Sequence, residues 1–181
     1  MRIALTGGIA CGKSLLANYL NELGVETLDA DDIVHELIPE SERRRMADEV
    51  FRDPAKRKEL EQRIHPLVRA RLADFANGER GTGIGERGIR IEIIPLLFEC
   101  HWEADYDIIL CVSSPRSLQV ERMTSRRGYT EEQAESRLAA QLPVEEKAAR
   151  SDYVIVNGGS AENLMEEAKK LVAWLKGRCN G

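Results

Sequence analysis

No two of the four cysteines, Cys11, Cys100, Cys111 and Cys179, form a CxxC pair, so neither a zinc ribbon nor a dithiol redox motif can be drawn from them, and reduced thiols in the cytoplasm are the expectation. Long apolar runs are missing too: nothing in the 181 residues approaches the roughly 20 residues of a membrane span. The N-terminus lacks the apolar core and small-residue cleavage site of a signal peptide. Neither sign of charge dominates, with 26 Lys and Arg against 31 Asp and Glu. Acidic residues interleave with the basic clusters at 42–45 and 56–58, which speaks against nucleic acid as a partner. The three histidines, His35, His65 and His101, have no partner at metal-ligand spacing, and no internal repeat is visible. What remains is one domain's length of chain with 43 % apolar and 31 % charged residues, a globular composition.

Five short apolar, β-branched-rich runs, at 3–6, 25–28, 89–94, 107–112 and 153–156, read as buried strands. Segments of helical spacing separate them. Leu15, Leu16, Tyr19, Leu20 and Leu23 form one face of a helix that Gly24 can close. Ser114 as N-cap and Pro115 as first helical residue open another helix, which Gly128 ends; Thr130 with Gln133 fits a capping box for the next. Strands alternating with helices imply an α/β fold with a parallel sheet covered on both faces. The interval 32–88 breaks that rhythm. It reads as an inserted lobe, helical to residue 77 with restarts at Asp53-Pro54 and His65-Pro66, followed by an exposed glycine-rich loop over 78–88.

The chemistry is concentrated at the first strand-to-helix junction. Gly7, Gly12, Lys13 and Ser14 satisfy GxxxxGK(S/T), preceded by a strand and followed by a helix as that motif requires. Glycines let the backbone curl until successive N–H groups face phosphate oxygens, and the helix adds the positive end of its dipole. Lys13 then meets the β- and γ-phosphates of a nucleotide, and the Ser14 hydroxyl binds Mg²⁺. The second strand ends in LDADDI, placing Asp29, Asp31 and Asp32 near the strand ends where open α/β sheets bind ligands. Asp31 is the candidate functional carboxylate and Asp32 the candidate helix cap. From 116 to 150 the chain is rich in cations, with Arg122, Arg126, Arg127, Arg137, Lys147 and Arg150. They suggest a lid that closes on the triphosphate and excludes water. The core is then 1–31, 89–115 and 151–181, with the lid at 116–150. His65 stands at a break between lobe helices, a structural position by its own reading. No DxxG or NKxD stretch follows the loop, which argues against a GTPase switch.

In order along nearly the whole chain, ALTGGIACGKS, LDAD, HPL at 65–67, PLLFE at 95–99, RLAAQ at 137–141 and DYVIVNGG at 152–159 resemble the dephospho-coenzyme A kinases. The resemblance implies a three-layer P-loop kinase fold with five parallel strands, an inserted helical lobe that takes the acceptor, and a helical lid. It implies transfer of the ATP γ-phosphoryl group to the ribose 3′-hydroxyl of dephospho-coenzyme A. Asp31 is then similar to the family's base, Lys13 and Ser14 serve ATP and Mg²⁺, and Arg137 resembles a lid residue poised at the transferred charge. Thr6, His65, Pro95, Leu96 and Glu99 fall on the acceptor side. Gly7, Gly8, Ala10, Cys11, Gly12, Leu15 and Arg122 surround the nucleotide, with Asn157 and Gly158 near the adenine. Three features depart from the family pattern: Leu15 where threonine is frequent, Cys11 where a small polar residue is usual, and a lobe shortened after HELIPE. Another P-loop small-molecule or nucleoside monophosphate kinase, or an impaired nucleotide-binding protein, are the alternatives.

Overall fold

A computed structural model describes residues 1–38, 53–78 and 88–179. The basic cluster at 42–45 and all but the ends of the 78–88 loop lie outside them. Five strands, β1 (Ile3–Gly7), β2 (Glu26–Asp29), β3 (Arg90–Ile93), β4 (Ile108–Ser113) and β5 (Tyr153–Val156), form one sheet in the order β2-β3-β1-β4-β5. Every pairing is parallel. The helices are α1 (Lys13–Glu22), α2 (Ala30–Leu37), α3 (Pro54–Asn77), α4 (Arg116–Arg127), α5 (Glu131–Ala139), α6 (Val144–Ala149) and α7 (Ala161–Cys179). The expected strands are all present, with bounds shifted by a residue or two.

β1 is central and buried at every position, and its side chains alternate between the two layers as a period of two demands. Ile3 and Leu5 join a core with Leu16 and Leu20 of α1 and Leu164, Ala168, Leu171 and Leu175 of α7. Ala4 points to the other face, where Ala30, Ile33, Val68, Leu72, Leu97, Phe98 and Trp102 pack. A third, smaller cluster joins Met123 of α4 to Ala134 and Leu138 of α5, with Ile9 and Ala10 of the first loop against it. The helices of the expected lid therefore rest on the loop they would cover. No described helix is long and apolar enough to cross a membrane.

Three local expectations are corrected. α3 does not break at His65-Pro66: one helix runs through Pro66. A mid-helix proline costs about 3 kcal/mol, but Val68 and Leu72 beyond it are buried at 2 % and 0 % exposure, and each such side chain is worth about 1.5–3 kcal/mol. His65 meets Trp102 edge-on, ring centroids 5.0 Å apart. Second, Ser114 does not cap α4; Pro115 takes that position. The buried Ser114 hydroxyl instead donates to the Asn157 carbonyl at 2.7 Å, since a hydroxyl out of reach of water must find an acceptor. Third, α2 is capped by Asp29, whose Oδ1 accepts from the Asp31 N–H at 2.9 Å; Asp32 lies in the first turn. The remaining signals are met: Gly128 closes α4 with φ 69°, Asp53 caps α3, and Thr130 with Gln133 makes the capping box of α5.

Candidate active site

β1 pairs with β3 on one side and β4 on the other, so the chain leaves the sheet in opposite directions around the end of β1 and opens a crevice there. The loop between β1 and α1 lines it. Gly7 leaves the strand at φ 146°, and a Cβ at this position would overlap the Val112 backbone of β4. Gly12 enters the helix at φ 96°, where a Cβ would strike the Asn157 amide. Ala10 adopts φ 58° in the middle of the loop. Gly7→Ala should therefore destabilise the fold by about 2–4 kcal/mol through combined overpacking and backbone strain. Denaturant unfolding checks this, and a loss below about 0.5 kcal/mol would mean that β1 and β4 can part without cost.

Side chains of α4 and the end of β5 hold the loop by its carbonyls. Gln119 Nε2 donates to the Ile9 carbonyl at 2.7 Å, Arg122 to the Ala10 carbonyl at 3.1 Å, and Asn157 Nδ2 to the Cys11 carbonyl at 2.8 Å. In a trans peptide the next N–H points opposite to the carbonyl, so the Ile9 and Cys11 carbonyls drawn outward turn the amides of residues 10 and 12 the other way, while the Cys11 N–H donates to the Gly8 carbonyl at 3.4 Å. The first N–H groups of α1 add to them. Arg122 also donates to Ser114 Oγ at 3.0 Å and to the Asn157 carbonyl at 3.2 Å. Gln119, 3 % exposed, is a site residue that motif reading missed. Its signal was a polar side chain one helical turn before Arg122 on the same face.

Lys13 Nζ donates to the Gly7 and Gly8 carbonyls, each at 2.9 Å. Burial pulls its ammonium below the ordinary lysine range, and Lys147 adds to the effect, while Asp29 and Asp31 act against it. Burial likewise raises Asp29, partly offset by the hydrogen bond from the Asp31 N–H. The Cys11 thiol is raised by burial and accepts from Gln119 Nε2 at 3.2 Å; it packs behind the loop, away from the crevice.

The crevice is a cavity of about 380 Å³. Lys13, Ser14, Asp29, Asp31 and Pro95 line it, with Ala10, Gly12 and Leu15 from the loop and α1. Arg122, Arg126 and Arg127 of α4 contribute, as do Gln141 after α5 and Asn157 after β5. Thr6, Gly7, Gly8 and Cys11 are buried behind it. Gly159 lines the cavity where Gly158 does not. His65, Leu96, Glu99 and Arg137 lie outside the lining. Arg137 stacks on the Tyr129 ring, 4.6 Å from its centroid, and Glu99 pairs with Lys147 at 2.7 Å. Arg150 lies over Phe98 at 4.2 Å. Two of the expected lid cations thus fasten the 95–103 segment instead of facing the cavity.

A family model described as dephospho-CoA kinase matches residues 1–42 and 39–163. The dephospho-CoA kinase of Anaeromyxobacter dehalogenans is 36 % identical over 97 % of this chain and 92 % of its own length. That of Agrobacterium fabrum is 35 % identical over 94 % of this chain and 95 % of its own. Among solved structures, a Thermus thermophilus protein superposes with a TM-score of 0.78 at 33 % identity, covering 97 % of each chain. The dephospho-CoA kinase of Campylobacter jejuni follows at 0.68 and 25 %, covering 98 % of each. A shikimate kinase from Acinetobacter baumannii, 18 % identical with a TM-score of 0.61 over 98 % of this chain and 93 % of its own, shares the fold alone. A family match reaching from residue 1 to residue 163, with relatives above 30 % identical along nearly the full length, makes this chain a member of the dephospho-CoA kinase family.

Proposed function

We propose that this chain transfers the γ-phosphoryl group of ATP to the ribose 3′-hydroxyl of dephospho-CoA, giving CoA and ADP, the last step of CoA synthesis. The observation that carries the reading is that Lys13 and Asp31 line one cavity. A cation for the phosphates and a carboxylate for a proton thereby share the space in which an acceptor hydroxyl and a γ-phosphate would meet.

Phosphoryl transfer asks a protein chiefly for alignment and charge compensation. The amides of residues 10 and 12 and the start of α1 take the phosphate oxygens. Lys13, whose ammonium burial disfavours, gains from an incoming anion, since opposite charge restores what burial withholds. The acceptor oxygen forms its bond to the γ-phosphorus as the bond from that phosphorus to the β–γ bridging oxygen breaks. Asp31 takes the hydroxyl proton, and ADP leaves with the electron pair. Arg126 and Arg127 supply forked donors from the α4 side, while Arg122, whose terminal nitrogens are held by Ala10, Ser114 and Asn157, contributes its charge. Arg137 meets the transferred charge only by leaving Tyr129, a motion that belongs to the lid at 116–150. The lobe at 32–88 receives the acceptor, with Thr6, His65, Pro95, Leu96 and Glu99 supporting or bordering its side of the cavity. Asn157 and Gly158 border the base.

Magnesium fits the donor set. The Ser14 hydroxyl and the Asp29 and Asp31 carboxylates are all hard oxygen donors lining the same cavity, and Mg²⁺ is held by few protein oxygens beside phosphates and water. Ser14 would be its direct protein ligand, and the ion would neutralise charge on the phosphate oxygens. An ATP-consuming reaction agrees with a cytoplasmic setting.

A panel of acceptors, dephospho-CoA against nucleoside monophosphates and pantetheine derivatives, scored by ADP release and product mass, tests the reading. Dephospho-CoA is expected to be phosphorylated with the highest kcat/KM, in a Mg²⁺-dependent reaction with little ATP hydrolysis when no acceptor is present. Preference for a monophosphate would replace the named acceptor and leave a kinase.

A further inference from the structure

Lys147, on α6, is wholly buried at 0 % exposure. Its Nζ lies 2.7 Å from Glu99 Oε1 and donates to the Pro95 carbonyl at 2.9 Å. The same carbonyl accepts from Thr6 Oγ1 at 3.2 Å, and the same carboxylate oxygen accepts from the Leu142 N–H at 3.1 Å. One ammonium therefore ties three segments that border the cavity: the end of β1 just before the loop, the turn after β3 whose Pro95 lines the cavity, and the return from α5 to α6 beside Gln141.

Stability does not explain this choice. Withdrawing two charges from water costs about what their attraction returns, and apolar substitutes of similar volume commonly serve as well or better. Glu99 Oε2 is also buried with no hydrogen-bond partner, a further cost that an apolar side chain would avoid. What a directional pair supplies and an apolar contact does not is a defined position.

We infer that Lys147 and Glu99 are positioning residues, a buried brace that sets the Pro95 wall and the Gln141 corner of the cavity relative to the phosphate loop, and so aligns the acceptor without holding the nucleotide. This rests on the reading of the site as a phosphotransferase. Lys147 touches no reacting atom; it acts through the carbonyl of Pro95 and the carboxylate of Glu99.

The test is the double variant Lys147→Met/Glu99→Gln. It removes both charges, keeps both volumes, and leaves the Leu142 N–H only a neutral amide oxygen that no ammonium holds in place. Lys147→Met alone strands a buried carboxylate and is expected to lower Tm, whereas the double variant should return to near the wild-type Tm. Its kcat should nonetheless stay about 10- to 100-fold down, the penalty of misalignment by about an ångström. Its affinity for a fluorescent ATP analogue should stay within about twofold, inside the change expected when no nucleotide contact is lost. Hydrogen exchange at the Leu142 and Leu97 amides should rise with no change in α1. Lys169→Ala, which breaks an exposed pair with Glu166, is the control and should alter none of these. Recovery of kcat together with Tm, or unchanged exchange at Leu142 and Leu97, overturns the brace. Turnover is measured with whichever acceptor the wild type phosphorylates, so failure of dephospho-CoA as acceptor overturns the functional reading while the exchange data still decide this one.

Discussion

Lys13→Ala is expected to lower kcat by on the order of 10³-fold at saturating ATP, about 4 kcal/mol of transition-state stabilisation. The lysine stands at the foot of the cradle, where its ammonium bonds two loop carbonyls in a site that burial makes unfavourable for charge. Charge that develops on phosphate oxygens is compensated best by fixed groups, which need no reorganisation at the moment of reaction. Folding should not suffer. A lysine whose native pKa is depressed costs stability at any pH where it is charged both folded and unfolded. That penalty fades as pH rises from the native pKa toward the ordinary lysine value. The variant should thus equal or exceed the wild type in Tm near neutral pH, with the advantage narrowing in alkali. Loss of turnover without loss of stability is the signature of a group placed for chemistry. Thermal scans across pH and steady-state kinetics check both halves, and a kcat within tenfold of wild type would remove Lys13 from the site.

Asp31→Asn should cost about 10²- to 10⁴-fold in kcat, the range ascribed to a positioned base, with ATP affinity changed by less than about threefold because the nucleotide keeps its cradle. The local fold is insulated from this change. Asp29, not Asp31, caps α2, and what it receives is the backbone N–H of residue 31, which asparagine retains. Nucleotide titration and turnover with dephospho-CoA, measured side by side, separate the two effects. An unaltered kcat would leave Asp31 as an acid of the first helical turn, favourable to the helix dipole and nothing more.

Local rules carried well wherever the local chain decides the outcome. The five strands could be read because a fully buried parallel strand has to be apolar over its length, as Ile3–Gly7 and Ile108–Ser113 are. The capping box at Thr130 and the closure at Gly128 were legible for the same reason, since each is satisfied within a few residues. The P-loop was legible because its glycines answer to the backbone: φ 146° at Gly7 and 96° at Gly12 exclude most side chains. Reading failed where a distant partner outbid the neighbour. Ser114 stands where a cap should be, yet its hydroxyl serves the carbonyl of Asn157, 43 residues on. Pro66 should stop a helix, but Val68 and Leu72 are drawn into the core beyond it.

Composition, periodicity and one eight-residue motif sufficed to determine a parallel α/β sheet with a tightly curled glycine loop at the end of its first strand, because those features are written in contiguous residues. Which cations face the crevice was settled only in three dimensions. Arg122, Arg126 and Arg127 line it, whereas Arg137 lies on Tyr129 and Lys147 disappears beneath the 95–99 turn. A long charged side chain looks the same in sequence whether it reaches solvent, a ligand or a buried carboxylate. Its direction is chosen by partners that the fold alone brings within a few ångströms, and by the cost of leaving any of them unpaired.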